Sequence, residues 1–394
     1  MKELIKISGL TVKFYTYEGV VSALNQVNLT INREETLGLV GETGCGKTMI
    51  ALSILRLVPS PGRIESGSIH FNITNTAEPP DLLTLSESQM REIRGSRISM
   101  VFQEPSAALN PVYTIGDQIS EVILLHRRQE LGSQAAAAVD QRLAQETGIS
   151  RALAKPMWLV QRNLYRKIAQ DPDAVWPRLV ARIPLARRLL WQLRQEAEKA
   201  TVSLLREVEI PDPASVIQRY PHQLSGGMKQ RVVIAMALAG SPKFLIADEP
   251  TTSLDVTIQA QILELMRQLK KEHQSSVLYI THDLGVAAEI CDRIGVMYAG
   301  SPCEIAPVEE LYAHPLHPYT RALMAAVPRP GEEPHPIGGT VPDPIELPPG
   351  CRFHPRCSEA TRLCQQQAPE MREVAPQHFL ACHLFMGGDS GRPR

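Results

Sequence analysis

Residues 41–48 read Gly-Glu-Thr-Gly-Cys-Gly-Lys-Thr, a spacing that can cradle phosphates. In such a loop successive backbone amides converge on phosphate oxygens. Gly41, Gly44 and Gly46 permit the tight path, and Glu42, Thr43 and Cys45 line it. Lys47 is placed to reach the β- and γ-phosphates, and Thr48 to put its hydroxyl on Mg²⁺. Residues 244–249 are an apolar run ending in two carboxylates, Asp248 and Glu249. Asp248 suits Mg²⁺, directly or through water, and Glu249 suits a general base polarising an attacking water. Ser225, Gly226 and Gly227 open a predicted helix, and a helix N-terminus is an anion-binding end. Cys351, Cys357, Cys364 and Cys382 are spaced C-x5-C-x6-C-x17-C, without the C-x2-C pairs common at zinc. Thiolates in loops can wrap a tetrahedral Zn²⁺ or an iron–sulfur cluster. Four reduced thiols without metal are the plain alternative.

These residues need a scaffold. Residues 4–14 and 22–31 alternate apolar and polar as strands do. Thr36–Val40 is a short apolar strand running into the Gly-rich loop, and Met49–Leu57 turns helical, the context a phosphate loop requires. Further strands are expected at Arg97–Phe102, Phe244–Ala247, Ser276–Ile280 and Ile294–Tyr298, with helices at Arg231–Ala239 and 256–271. Strands alternating with helices imply an α/β core with a largely parallel sheet. Residues 104–223 read as helix and loop. Residues 328–350, rich in Pro and Gly, read as a linker or extended arm, and Gly387–Arg394 as a disordered tail.

Among 394 residues, 43% are hydrophobic and 21% charged, ordinary for a globular protein. The formal net charge of −1 gives no basic field that would argue for nucleic acid. No apolar run approaches the roughly 20 residues needed to cross a bilayer. The first residues lack the apolar core of a secretion signal, so a cytosolic chain is expected.

The order of motifs resembles that of ABC-transporter ATPases over residues 1–300. Gln103, in Val-Phe-Gln-Glu-Pro, looks like the Q-loop glutamine that senses Mg²⁺ and γ-phosphate. Leu224-Ser-Gly-Gly-Met-Lys-Gln230 looks like the signature, Ser253-Leu-Asp255 like the D-loop, and His282 in Ile-Thr-His-Asp like the switch histidine. The resemblance implies a RecA-like mixed α/β sheet, residues 1–103 and 224–300, with a helical subdomain at 104–223. It implies catalytic roles for Glu249, His282 and Gln103. It also implies a head-to-tail dimer in which Leu224, Ser225, Gly226, Gly227 and Gln230 face the partner's ATP. Adenine would stack near the N-terminus on Phe14, Tyr15 or Tyr17, with Tyr17 the best placed.

Ala108-Leu-Asn-Pro-Val-Tyr-Thr-Ile-Gly, Tyr220-Pro-His-Gln-Leu, His314-Pro-Leu-His-Pro-Tyr-Thr and Cys351-Arg-Phe-His-Pro-Arg-Cys357 are similar to strings in the ATPases of dipeptide, oligopeptide and nickel permeases. That resemblance implies a small cysteine-containing extension at 301–394 and import driven at the cytoplasmic face of the inner or plasma membrane. Its partners would be two transmembrane permease subunits, an extracytoplasmic substrate-binding protein and often a non-identical second ATPase. It associates the four cysteines with a [4Fe–4S] cluster. Nickel or another small solute is the alternative cargo. A non-transport ABC ATPase is the alternative class, disfavoured by prolines that break any long coiled coil and by the presence of a single ATPase unit.

Residues 126–200 fall outside that pattern. They carry 14 Lys or Arg, 7 Asp or Glu and all three tryptophans, Trp158, Trp176 and Trp191. Met157, Val160, Leu164 and Ile168 recur at helical spacing, broken by prolines at 156, 172, 177 and 184. Arg and Trp on amphipathic helices suit anionic headgroups or a permease loop; an internally packed, elaborated subdomain is the plainer expectation.

Overall fold

The computed structural model describes residues 2–73, 79–145, 149–171, 189–252, 254–327 and 336–385. Within them an eight-stranded sheet runs in the order β10 (Arg372–Ala375), β11 (His378–Leu380), β9 (Ser301–Pro307), β8 (Arg293–Tyr298), β3 (Thr36–Val40), β7 (Ser276–Ile280), β6 (Phe244–Asp248), β5 (Ile98–Val101). Its centre is β3, flanked in parallel by β7 and β8, with β6 and β5 continuing parallel beyond β7. Every residue of β3, β5, β6, β7 and β8 is buried, with Ser99 at the margin, which suits strands covered on both faces. The parallel register brings the carboxyl ends of β3, β5, β6 and β7 to one edge. Residues 41–46, Gln103, Asp248–Glu249 and Thr281–His282 lie at or just past those ends. Four motifs scattered over about 240 residues of sequence are thus neighbours for a topological reason.

A second sheet, β2-β1-β4, is antiparallel and shares a core with the helix Lys47–Ile54. It comprises β1 (Glu3–Tyr15), β2 (Val20–Asn32) and β4 (Gly62–Phe71). β4 was not expected from the sequence: Gly62, Glu65, Ser66 and Gly67 hide its apolar alternation.

The helical subdomain is built from Ile115–His126, Arg128–Gln145, Ile149–Gln170 and Trp191–Glu207. Pro156 was expected to break the pattern, but it sits inside the continuous helix Ile149–Gln170. A proline removes one backbone donor, and the surrounding turns and their packing against Arg128–Gln145 carry the helix through. Pro172, Pro177, Pro184 and Trp176 lie outside the described residues. The expected apolar stripe is met in its second half, where Ile168 is buried and Leu164 packs half-buried against the core, but not in its first. Trp158, Tyr165 and Ile168 are buried, whereas Met157 and Val160 are 50% and 55% exposed. Trp191 is half exposed with the Arg142 guanidinium 5.5 Å from its ring centroid.

The sheet does not end at residue 300. β9 (Ser301–Pro307) pairs antiparallel with β8, β11 (His378–Leu380) with β9, and β10 (Arg372–Ala375) with β11. The sheet is therefore mixed, parallel in its middle and antiparallel at this edge. Residues 336–350 have no regular structure and run along the β1–β2 hairpin, where Ser22 N–H donates to Pro344 O at 3.0 Å. Glu304, wholly buried, accepts from His378 Nε2 at 2.8 Å and from the amides of Leu316 and His317 at 2.8 and 3.0 Å. Burial opposes its ionisation, yet these bonds hold its carboxyl below the usual range.

Candidate functional site

The loop 41–46 leaves β3 and turns into the helix Lys47–Ile54 through Gly46, which has φ 99°. Gly41 has φ 152°, and a Cβ there would lie 2.2 Å from Met297 O, so only glycine fits. Lys47 is 6% exposed, and its Nζ donates to Gly41 O at 2.7 Å and Glu42 O at 3.2 Å. An ammonium held by carbonyls within the loop has no carboxylate to leave when phosphate arrives. Thr48 Oγ1 donates to Asp248 Oδ1 at 3.3 Å, linking the loop to the end of β6. Asp248 is 3% exposed; burial pushes its carboxyl up, and the adjacent Glu249 charge pushes the same way. A divalent cation between Thr48 and Asp248 would relieve both effects.

Glu249 turns the chain sharply off β6 with φ 46°, the left-handed region, and its N–H donates to Ile280 O at 2.9 Å. Its carboxylate gathers three side chains. Gln103 Nε2 donates at 2.9 Å and Thr252 Oγ1 at 3.0 Å, both to Oε2, while His282 Nδ1 lies 3.2 Å from Oε1. The structure thus brings Gln103, Glu249 and His282 together. Thr252 was missed by sequence reading; its only signal was its place three residues after the glutamate.

Ser225 caps the helix Gly226–Leu238, its Oγ accepting from Met228 N–H at 3.3 Å. Ser225 and Gly226 are exposed and Gly227 half-buried, so the helix tip faces outward. Leu224 and Gln230, expected on the same outward face, are 7% and 1% exposed. Gln230 lies past the first turn, on a helix buried almost all round, and turns inward; its Nε2 has no hydrogen-bond partner. Asp255 caps the helix Val256–His273 by accepting from Ile258 N–H at 2.9 Å. Ser253 lies outside the described residues. Tyr17 is wholly exposed in the β1–β2 turn, while Tyr15 donates to Glu65 at 2.9 Å.

The four C-terminal cysteines line one small cavity with Phe353, His354 and His383. Cys351 N–H donates to Cys364 O at 2.8 Å. Burial pushes up the thiols of Cys351, Cys357 and Cys382, the last to about 12, and the neighbouring thiolates add to it. Among the described residues, no three His, Cys, Asp or Glu side chains converge closely enough to hold a single ion.

Comparison with known proteins agrees with this geometry. The family profile described as "ABC transporter" matches residues 24–252, and "Oligopeptide/dipeptide transporter, C-terminal region" matches 303–364. A putative peptide import ATP-binding protein of Brucella abortus is 41% identical over 93% of this chain and 91% of its own. The dipeptide transport ATP-binding protein DppD of Bacillus subtilis is 38% identical over 99% of both. Among solved structures, the dimeric ATP-binding cassette MJ0796 with ADP and Pi superposes with a TM-score of 0.54 at 22% identity. The match covers 77% of this chain and 99% of that one, a likeness of fold. Two matched profiles covering core and C-terminal region, and relatives matched over nearly their full length, place the chain in the oligopeptide/dipeptide branch of the ABC transporter ATP-binding family.

Proposed function

We propose that this chain hydrolyses ATP to energise peptide import, working from the cytoplasmic face of a membrane it does not cross. Among the described residues no helix is long and apolar enough to span one. The observation that carries the reading is the meeting of Glu249, Gln103 and His282 beside the phosphate loop. Loop amides 43–46 and Lys47 would hold the triphosphate, and Thr48 and Asp248 the Mg²⁺. Glu249 would polarise water for attack on the γ-phosphorus, giving ADP and phosphate. His282 would contact the γ-phosphate and Gln103 would leave Glu249 for Mg²⁺, linking the site to the helical subdomain.

Ser225 and Gly226 are exposed at the helix tip, which supports closure over a second subunit's ATP. That subunit is in our reading a non-identical paralogue, with two permeases beyond it. The exposed Met157 and Val160, in the basic segment 126–200, favour contact with headgroups or a permease loop.

Relatives named for peptide and dipeptide transport support a peptide cargo over nickel. Reconstituted with its permeases and receptor, the chain is expected to drive ATP-dependent uptake of a labelled dipeptide. Uptake of a nickel chelate without peptide would replace the cargo; affinity capture that retrieves no permease would favour the non-transport class.

We read the four cysteines that line one cavity as holding a cluster rather than a single ion, on the chemistry of four thiol donors. A tetrahedral zinc needs four ligands at one point, whereas a [4Fe–4S] cube is gripped by thiolates spread around it. Cys351, Cys357, Cys364 and Cys382 would hold the cluster, which supplies redox or structural chemistry. Anaerobically purified protein is expected to carry about four iron and four sulfide per chain, and Cys382→Ser to lower both. A colourless, iron-free preparation would sink the cluster.

A further inference from the structure

Two sequence strings have no role in the chemistry described so far, His314–Thr320 and the residues between Cys351 and Cys357. The fold lays both against the phosphate loop. Arg356 lies between Cys351 and Cys357, in the turn His354–Arg356, yet its guanidinium grips Glu42 of the loop. Nη1 donates to Oε2 at 2.8 Å and Nη2 to Oε1 at 3.1 Å, a two-pronged pair, and the arginine side chain is only 4% exposed. Arg356 Nε also donates to Gly338 O at 2.8 Å, and the guanidinium lies over the Tyr298 ring. The Glu42 amide in turn donates to Tyr319 Oη at 3.1 Å. Tyr319 is buried against Tyr298 and Phe353, and the Glu304 bonds to Leu316 and His317 fix the segment just before it. Glu42 is therefore held at side chain and amide by residues 314 and 277 positions away.

We propose that Arg356 and Tyr319 are positioning residues of the phosphate loop, and that they tie its affinity for Mg·ATP to the four-cysteine segment. Both act through Glu42. By fixing Glu42 at two points they hold the loop in one shape before nucleotide arrives, and preorganisation of that kind lowers the ordering cost of binding. A part-buried, forked arginine–carboxylate pair suits this because it fixes direction as well as distance. Cys357 directly follows Arg356, so a shift of the cysteine turn moves the guanidinium. The ligand, Mg·ATP, is the one element that rests on the proposed function.

The test is nucleotide binding and steady-state kinetics on the full chain. Arg356→Ala is expected to raise the Kd for Mg·ATP about tenfold while kcat stays within about twofold, the pattern of lost ground-state binding. Arg356→Lys keeps charge but loses the fork, so it recovers part of the affinity; Tyr319→Phe, which deletes one acceptor, raises Kd about threefold. Cys357→Ser raises Kd in the wild-type background and adds nothing in R356A, because both act through one contact. Wild-type Kd values in R356A and Y319F, or a kcat loss at unchanged Kd, would overturn the positioning role. Should R356A not fold, R356K and Y319F decide on the same criterion. A C357S chain that binds like wild type, or additive effects, would overturn the tie to the cysteines. An iron-free protein leaves the R356A result standing, and a wild type that binds no nucleotide fails the functional reading instead.

Discussion

Glu249→Gln is expected to bind Mg·ATP and to turn it over at least about a hundredfold more slowly, the usual range for loss of a general base. The substitution is nearly isosteric. The amide oxygen can still accept from Gln103 Nε2 or Thr252 Oγ1, at 2.9 and 3.0 Å in the wild type, so the loop after β6 should keep its shape. What disappears is the negative charge that accepts a proton from water. The change also removes a like charge beside Asp248, whose carboxyl is raised by burial and in part by Glu249, so Asp248 should ionise more readily in the variant. The variant should therefore accumulate as an ATP-bound dimer, visible as a nucleotide-dependent shift in size-exclusion chromatography. Turnover within about threefold of wild type would remove Glu249 from its proposed role.

The legibility of this site in the sequence was uneven, for physical reasons. The phosphate loop, the Asp248–Glu249 pair and His282 each follow a short apolar strand, and a strand buried on both faces leaves a contiguous signal. Their meeting at one sheet edge followed from strand–helix alternation. Elements whose contacts are distant were harder to find. β4 is polar and glycine-rich, and it becomes a strand only because β1 offers it an edge. β9, β10 and β11 likewise depend on β8. The helix Ile149–Gln170 kept its continuity across Pro156 because tertiary packing outweighs one missing bond. Its buried stripe departs from the expected one at Met157 and Val160 only; Trp158 turns inward in place of Met157, since both are apolar and spacing alone cannot choose between them. Arg356 and Tyr319 stood in strings noted for their resemblance, and nothing local ties them to Glu42; only the mixed edge of the sheet does.

Gly226→Asp separates assembly from folding, and is expected to abolish hydrolysis while leaving the isolated subunit intact. Within its own chain the residue has room: a Cβ at Gly226 would meet only Leu254 Cδ2, at an ordinary 3.8 Å. Gly227 is a poorer probe, since a Cβ there would lie 2.9 Å from Ile258 Cγ2. Position 226 is also the first residue of the helix Gly226–Leu238, where a carboxylate is favoured by the helix dipole and by the free amides. Stability should therefore hold or rise slightly, and Mg·ATP should bind this chain's own loop with unchanged Kd. Across the proposed dimer the same carboxylate would stand where a partner's γ-phosphate docks. Repulsion between anions in a closing interface, together with loss of the amide cradle, should lower ATPase activity about a hundredfold and remove the ATP-dependent dimer in the Glu249→Gln background. Full activity in G226D would mean that hydrolysis does not require the helix tip of a second subunit, and the sandwich arrangement would have to be abandoned for this chain.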